Sequence, residues 1–334
     1  MNFLARALLL VLLALSNNAC LASDTMWTDK SPHKVGFITV NRVRLHYLDW
    51  GGSGSTLLLL TGLGNTAHIY DDLAPNFTDR FHVIGVTWRG HGESEKPEAG
   101  YDTATLVEDV RLFLDAMKIQ NVSLVGHSLA GDELTMFAAK YPQRVEKLVY
   151  LDAAYDHTPN TLLGHFTNSI PLRDLPGVLS AMFPPFPDHD NKSYDASHTR
   201  LNNTCRVMTP ALEADLRAGT VLHDDGGLEY AMPGRVSQAV LASAQPNPAY
   251  SEVKAPALSF YADNIWLDSI PKENRDKAAI GFKALTEWRT AERERFRKGM
   301  ARAHTVLMPD TSHYCFIQRE GKVVREMRAF LLER

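Results

Sequence analysis

The eleven residues Val122-Ser-Leu-Val-Gly-His-Ser-Leu-Ala-Gly-Asp132 restrict the fold of this chain more than any other stretch. Asn121 to Val125 is a short aliphatic run of strand character, and Leu129 to Tyr141 carries apolar residues at helical spacing. Only a tight turn separates the two, and Ser128 stands in it with Gly126 and Ala130 two residues away on either side. A serine that projects from so sharp a turn needs small neighbours at those positions. A helix that starts at once behind it aims its free N–H groups at negative charge developing on a ligand. The spacing predicts a nucleophilic Ser128 at the end of a buried strand.

On either side of this turn, short apolar runs alternate with longer helical patterns, the rhythm of a parallel sheet with crossover helices. Gly36 to Val40 and Val43 to Asp49, joined by Asn41-Arg42, read as a hairpin. Leu57 to Leu60, His82 to Val86, Asn121 to Val125, Lys147 to Leu151, Ala257 to Tyr261 and His304 to Met308 read as further strands. Helices are expected at His68 to Phe77, Thr103 to Met117, Leu129 to Tyr141, Lys272 to Ala303 and Lys322 to Glu333. The alternating charges from Arg289 to Arg302 read as a solvated helix face. Between 155 and 252 the rhythm breaks into a segment rich in Pro, Asp, His and Asn with short helical pieces such as Pro210 to Arg217. A compact domain seldom holds an irregular loop of that length, so this segment is expected to be a cap inserted after strand 6. The resulting architecture is an eight-stranded, mostly parallel α/β sheet with flanking helices, its core formed by residues 23–154 and 253–334.

Acyl chemistry at Ser128 needs oxyanion donors, a base and an acid. Thr61-Gly-Leu-Gly64, directly after a strand, is a turn whose glycines permit close backbone approach, so the N–H groups of Leu63 and Leu129 are the expected donors. Of thirteen histidines, His313 in Pro309-Asp-Thr-Ser-His follows the last strand and is the expected base; His91 and His127 read as structural. For the acid, Asp263 follows the strand after the cap and gives the chain order Ser, Asp, His. Asp152, at the end of the preceding strand, and Asp268 are the alternatives. Tyr155, Phe183, Phe186 and Trp266 are read either as pocket lining or as the cap's own small core.

With these residues in hand, the chain resembles the capped branch of the α/β-hydrolase superfamily, which holds esterases, proline iminopeptidases, carbon-carbon bond hydrolases, haloalkane dehalogenases and epoxide hydrolases. The resemblance rests on Thr61-Gly-Leu-Gly, Arg89-Gly-His-Gly-Glu-Ser94, Gly126-His-Ser-Leu-Ala-Gly131, Asp263 and Pro309-Asp-Thr-Ser-His313. It departs in Thr61-Gly62 where the family has His-Gly, in Asp263 following Ala262 directly, and in the 50 residues between Asp263 and His313. Dehalogenases and epoxide hydrolases of the family place Asp at the elbow, so Ser128 implies acyl transfer to water through an acyl-enzyme. The expected activity is hydrolysis of a carboxylic ester or related acyl bond in a small apolar substrate, without metal or cofactor. Iminopeptidase and carbon-carbon hydrolase activities are the enzymatic alternatives, and a ligand-binding protein of negligible turnover is the alternative from another class.

Composition bounds the setting. With 45% apolar and 22% charged residues and a formal charge of −4, the chain has material for a sizeable core and no basic stripe that would track nucleic acid. A single cation followed by the apolar run Ala7 to Leu15 fits a signal peptide over residues 1–22 and is short for a membrane span, so the protein is expected to be exported, periplasmic or secreted. Cleavage after Ala22 is the expected cut; a lipid anchor at Cys20 is the rival. Cys205 and Cys315 then remain, either bridged or as two buried thiols.

Overall fold

The computed structural model describes residues 27–182, 193–223, 227–243, 249–263 and 267–333. The expected leader with Cys20, and Phe183, Phe186 and Trp266, lie outside the described residues.

The chain opens with β1 (Lys34–Val40) and β2 (Val43–Gly51), an antiparallel hairpin whose two turn residues, Asn41 and Arg42, both have positive φ, 48° and 61°. That backbone matches the strands' own twist. Then come β3 (Thr56–Leu60), β4 (His82–Val86), α1 (Thr103–Ala116), β5 (Val122–His127), α2 (Ala130–Lys140) and β6 (Val145–Leu151). The chain now leaves the sheet for α3 (Pro159–Ser169), α4 (Leu175–Met182), α5 (Tyr194–Cys205), α6 (Pro210–Ala218), β7 (Thr220–Leu222), β8 (Leu228–Tyr230) and α7 (Gly234–Ala242). It returns through β9 (Ala257–Ala262), α8 (Arg275–Gly299), β10 (Ala303–Met308), α9 (Cys315–Gln318) and α10 (Glu320–Leu332). Among the described residues no helix is long and apolar enough to cross a membrane.

The main sheet has the order β1-β2-β4-β3-β5-β6-β9-β10, parallel except for the pairings made by β2. Alternation along its strands supplies two cores. Leu58 and Leu60 face one side with α1, α2 and α8, whereas Leu57 and Leu59 face the other with α10. Each such leucine contributes about 1.5–3 kcal/mol by leaving water. All six residues of β5 are buried, so the turn at its C-terminal end is mounted on a fully enclosed strand of the sheet.

Three expectations change, and the choice left open for the cysteines is decided. The helix expected at His68 to Phe77 is two 3-10 turns, Ala67–Tyr70 and Ala74–Phe77, because Pro75 has no N–H with which to continue a helical ladder. The segment in which the strand rhythm breaks, read as short helical pieces, also contains the hairpin β7/β8, whose three-residue strands are too short to show alternation. The charged face of α8 is not all solvated: Glu292 and Phe296 are buried, and Glu292 accepts the Asp156 N–H at 2.7 Å. Cys205 and Cys315 are separate buried free thiols.

Candidate active site

Ser128 occupies the turn between β5 and α2 with φ 57°, a left-handed backbone that non-glycine residues adopt at a cost of roughly 1–3 kcal/mol. The surroundings hold it there. A β-carbon on Gly126 would come within 2.6 Å of Leu134 Cδ1, and one on Gly131 within 1.8 Å of the Ala153 carbonyl oxygen, so both neighbours of the turn are glycine because nothing larger fits. Gly62 sits equally close: its added carbon would stand 2.8 Å from Ser128 Cβ. The Thr61–Gly64 turn therefore lies against the serine. Among the described residues, the N–H groups of Leu63 and Leu129 donate to no backbone acceptor.

Ser128 lines a cleft of about 640 Å³, open water at its mouth included, together with Leu63, His313, Tyr314, and Leu201, Asp215 and Leu216 from the segment between β6 and β9. His313 stands in the loop after β10. Its Nδ1 lies 2.7 Å from Asp152 Oδ2, a geometry in which the imidazole N–H donates to the carboxylate. Asp152 is fully buried, has φ 48°, and accepts further hydrogen bonds from the Ala262 N–H at 2.9 Å and the Tyr155 hydroxyl. Arg289 approaches the same carboxylate to 4.0 Å. Burial alone would raise its pKa, but the His313 hydrogen bond, the Arg289 charge and the Tyr155 hydroxyl overcome that and lower it to about 2. Asp152 is ionised at neutral pH.

The expectation for the acid is thereby corrected. Asp263 does not meet His313; its Oδ1 accepts the Asp310 N–H at 3.0 Å and so braces the turn ahead of His313. Asp268 pairs instead with Arg206. The physical reason is register. Leu151 pairs with Phe260, so Asp152 ends its strand level with Tyr261 and Ala262, inside the sheet, while Asp263 has already passed the edge.

The histidines read as structural take such positions. His127 is buried, and burial together with the adjacent His313 pushes its basicity well below the ordinary imidazole value. Its Nε2 lies 3.2 Å from the His313 carbonyl oxygen, a link between β5 and the His313 loop. His91 is likewise neutral, its pKa lowered to about 4 by burial, beside the buried Arg89–Asp109 pair.

Asp215 of α6 was not singled out in the sequence. Its Oδ1 accepts the Thr66 N–H at 2.6 Å and the Thr66 hydroxyl at 2.7 Å, and its Oδ2 accepts Asn65 Nδ2 at 2.7 Å. Burial raises its pKa to about 6 against the pull of those hydrogen bonds. An acid on the apolar stripe of α6, beside Ala211, Leu212 and Leu216, was the legible sign of a buried partner.

The sequence profile of the family described as "alpha/beta hydrolase fold" matches residues 55–289. A 2-(acetamidomethylene)succinate hydrolase of Mesorhizobium japonicum is 33% identical over 115 residues, 34% of this chain and 41% of that protein. A soluble epoxide hydrolase of a Corynebacterium species is 34% identical over 113 residues, 34% and 39% of the two chains. These alignments span about two-fifths of the relatives' own length. Among solved structures, E-2-(acetamidomethylene)succinate hydrolase superposes over 90% of this chain and 100% of its own with TM-score 0.66 at 22% identity. The enol-lactonase of Burkholderia xenovorans covers 89% and 100% with TM-score 0.58, also at 22% identity. The profile takes in more than half of the chain, and the chain belongs to the α/β-hydrolase fold family.

Proposed function

We propose that this α/β-hydrolase is a serine hydrolase that cleaves a carboxylic ester or related acyl bond of a small, fairly apolar substrate. The observation that carries the reading is convergence on one cleft. Ser128, held at φ 57°, faces the same space as His313, whose Nδ1 is fixed by a buried, ionised Asp152.

With Nδ1–H given to Asp152, the proton-free Nε2 of His313 accepts the Ser128 proton while Oγ attacks the acyl carbon. The oxyanion forms beside the N–H groups of Leu63 and Leu129 at the start of α2, donors already in place before charge develops. The imidazolium returns its proton to the leaving alcohol, the acyl-enzyme remains, and water activated by the same nitrogen releases the acid and restores Ser128. Asp152 keeps the tautomer and stabilises the imidazolium throughout.

Two alternatives lose support. An alkyl-ester mechanism, as in epoxide hydrolases of the family, needs a carboxylate where this chain has Ser128. An iminopeptidase needs a cap carboxylate to hold a free amine, and Asp215, the acid that lines the cleft among the described residues, has both oxygens engaged by Asn65 and Thr66. The reading includes export, on the strength of the leader-like residues 1–22.

The test is labelling by a fluorophosphonate probe together with turnover of p-nitrophenyl esters of increasing chain length, for wild type and Ser128→Ala. Both signals are expected in wild type and absent in the variant. Labelling that persists in Ser128→Ala would place the nucleophile elsewhere, and ligand binding without turnover in wild type would favour the binding-protein reading.

A further inference from the structure

The segment ahead of β1 meets the 3-10 turn that follows the Thr61–Thr66 loop. Asp29 and His33 stand four residues apart in the first, His68 and Asp71 three apart in the second. One side-chain ligand atom from each of the four lies within 4.8 Å of all the others. His33 Nδ1 is 2.8 Å from Asp71 Oδ1, and His68 Nδ1 is 2.8 Å from Asp71 Oδ2. His68 Nδ1 is also 3.1 Å from Asp29 Oδ2, and His33 Nε2 is 3.7 Å from that oxygen. Four ligands at 2.0–2.1 Å from a tetrahedral ion sit about 3.3 Å from one another, and the two separations that share one atom per residue, His68 Nδ1 to Asp29 Oδ2 and to Asp71 Oδ2, fall just short of that edge.

Hydrogen bonding alone leaves the cluster short of a donor. His68 Nδ1 carries at most one proton yet faces oxygens of both carboxylates. Asp71 is served by His33, by His68 and by Trp50 Nε1–H at 3.2 Å. Asp29 uses one oxygen for the Ser31 N–H at 2.8 Å, and its Oδ2 is enclosed within the cluster without a hydrogen bond. Among the described residues, the only basic side chains paired with these two carboxylates are the same two imidazoles. Two carboxylates and two imidazoles around a common point, with one oxygen lacking a donor, match the donor set and charge of a divalent transition-metal ion.

We propose that Asp29, His33, His68 and Asp71 form a site for a divalent cation of the Zn²⁺ type, which ties the segment ahead of β1 to the turn behind the Thr61–Thr66 loop. Four protein ligands leave no open position, so the ion's role is structural. Trp50, donating to Asp71, orients that carboxylate from outside the ligand set.

The full chain, stripped with EDTA and desalted, would be titrated with ZnCl₂ by calorimetry, with the visible absorption of added Co²⁺ as a second readout. One equivalent is expected to bind, Co²⁺ to show a tetrahedral spectrum, and the thermal midpoint to rise with metal. Asp29→Asn/His68→Gln should weaken binding at least about 100-fold, since even partners outside the ligand set are worth 10–100-fold. If that variant does not fold, Asp29→Asn alone serves, because the side chain is 24% exposed and the change is isosteric. Absence of saturable binding in wild type, or unchanged affinity in Asp29→Asn, overturns the proposal.

Discussion

Replacing Asp152 by Asn tests the site at its most informative point. The side chain is fully buried, so the isosteric amide keeps the packing while removing the charge. One face of Asp152 takes the Ala262 N–H and the Tyr155 hydroxyl through Oδ1, and the other faces His313 Nδ1. An asparagine there satisfies Ala262 and Tyr155 with its carbonyl and therefore turns its NH₂ toward His313. The imidazole must answer with an unprotonated Nδ1, which places its proton on Nε2, where it cannot accept one from Ser128. Loss of the correct tautomer and of imidazolium stabilisation in a serine triad costs on the order of 10⁴ in kcat, about 5.4 kcal/mol of barrier, with KM little changed. The assay is kcat and KM on the best p-nitrophenyl ester, beside fluorophosphonate labelling rates, with circular dichroism to show that the variant folds. Asp263→Asn is the control. Its oxygen can still accept the Asp310 N–H, so less than about threefold change is expected, the size of an ordinary surface substitution. A fall of 10³ or more in Asp263→Asn with Asp152→Asn near wild type would refute the assignment.

Asp215 gives a prediction in pH. Its folded pKa is raised to about 6 against about 3.9 when unfolded, so the folded chain holds the extra proton between those values. This contribution is complete below about pH 4 and lost as pH rises through about 6. The stability difference between wild type and Asp215→Asn, from urea unfolding at pH 4, 5, 6 and 7, should therefore shift against wild type across that window; a flat difference would contradict the burial argument. Gly131→Ala should cost about 3 kcal/mol or more by the same measurement, because its new carbon would meet a backbone oxygen, the Ala153 carbonyl, at 1.8 Å. A loss under about 1 kcal/mol would mean that the β6 end yields more readily than its packing suggests.

The parts of the fold legible in the sequence are those encoded locally. Leu57 to Leu60 is aliphatic because both faces of β3 are covered, and Asn41-Arg42 between two alternating runs is enough for a hairpin. Ser128 was legible for the same reason, since Gly126 and Ala130 are the local price of its turn. The acid was not. Asp152 and Asp263 each follow an apolar strand, and both satisfy the order Ser, Asp, His; what separates them is a register and a set of partners remote in sequence, Tyr261 and Ala262 beside β6 and Arg289 from the middle of α8. Asp310, with φ 55°, turns the loop that Asp263 braces, so the acid expected to orient His313 acts on the backbone three residues before it.

The Thr61–Thr66 loop shows why long-range polar contacts decide such a site. Gly62 grants close approach to Ser128 and Gly64 supplies a positive φ of 85°, and the single internal backbone bond, from the Asn65 N–H to the Gly62 carbonyl, leaves much of that freedom to be restrained. The structure restrains it from outside. Asp215, about 150 residues away in sequence, takes the N–H and hydroxyl of Thr66 and the amide of Asn65. Directly behind, the Ala67–Tyr70 turn is fixed by His68 and Asp71 against Asp29 and His33. Tyr70 adds a third hold through its hydroxyl, which donates to the Leu60 carbonyl at 2.7 Å and closes the loop onto its own strand. The Leu63 N–H is thus presented by a segment gripped at both ends, which is the preorganisation that the proposed oxyanion role requires.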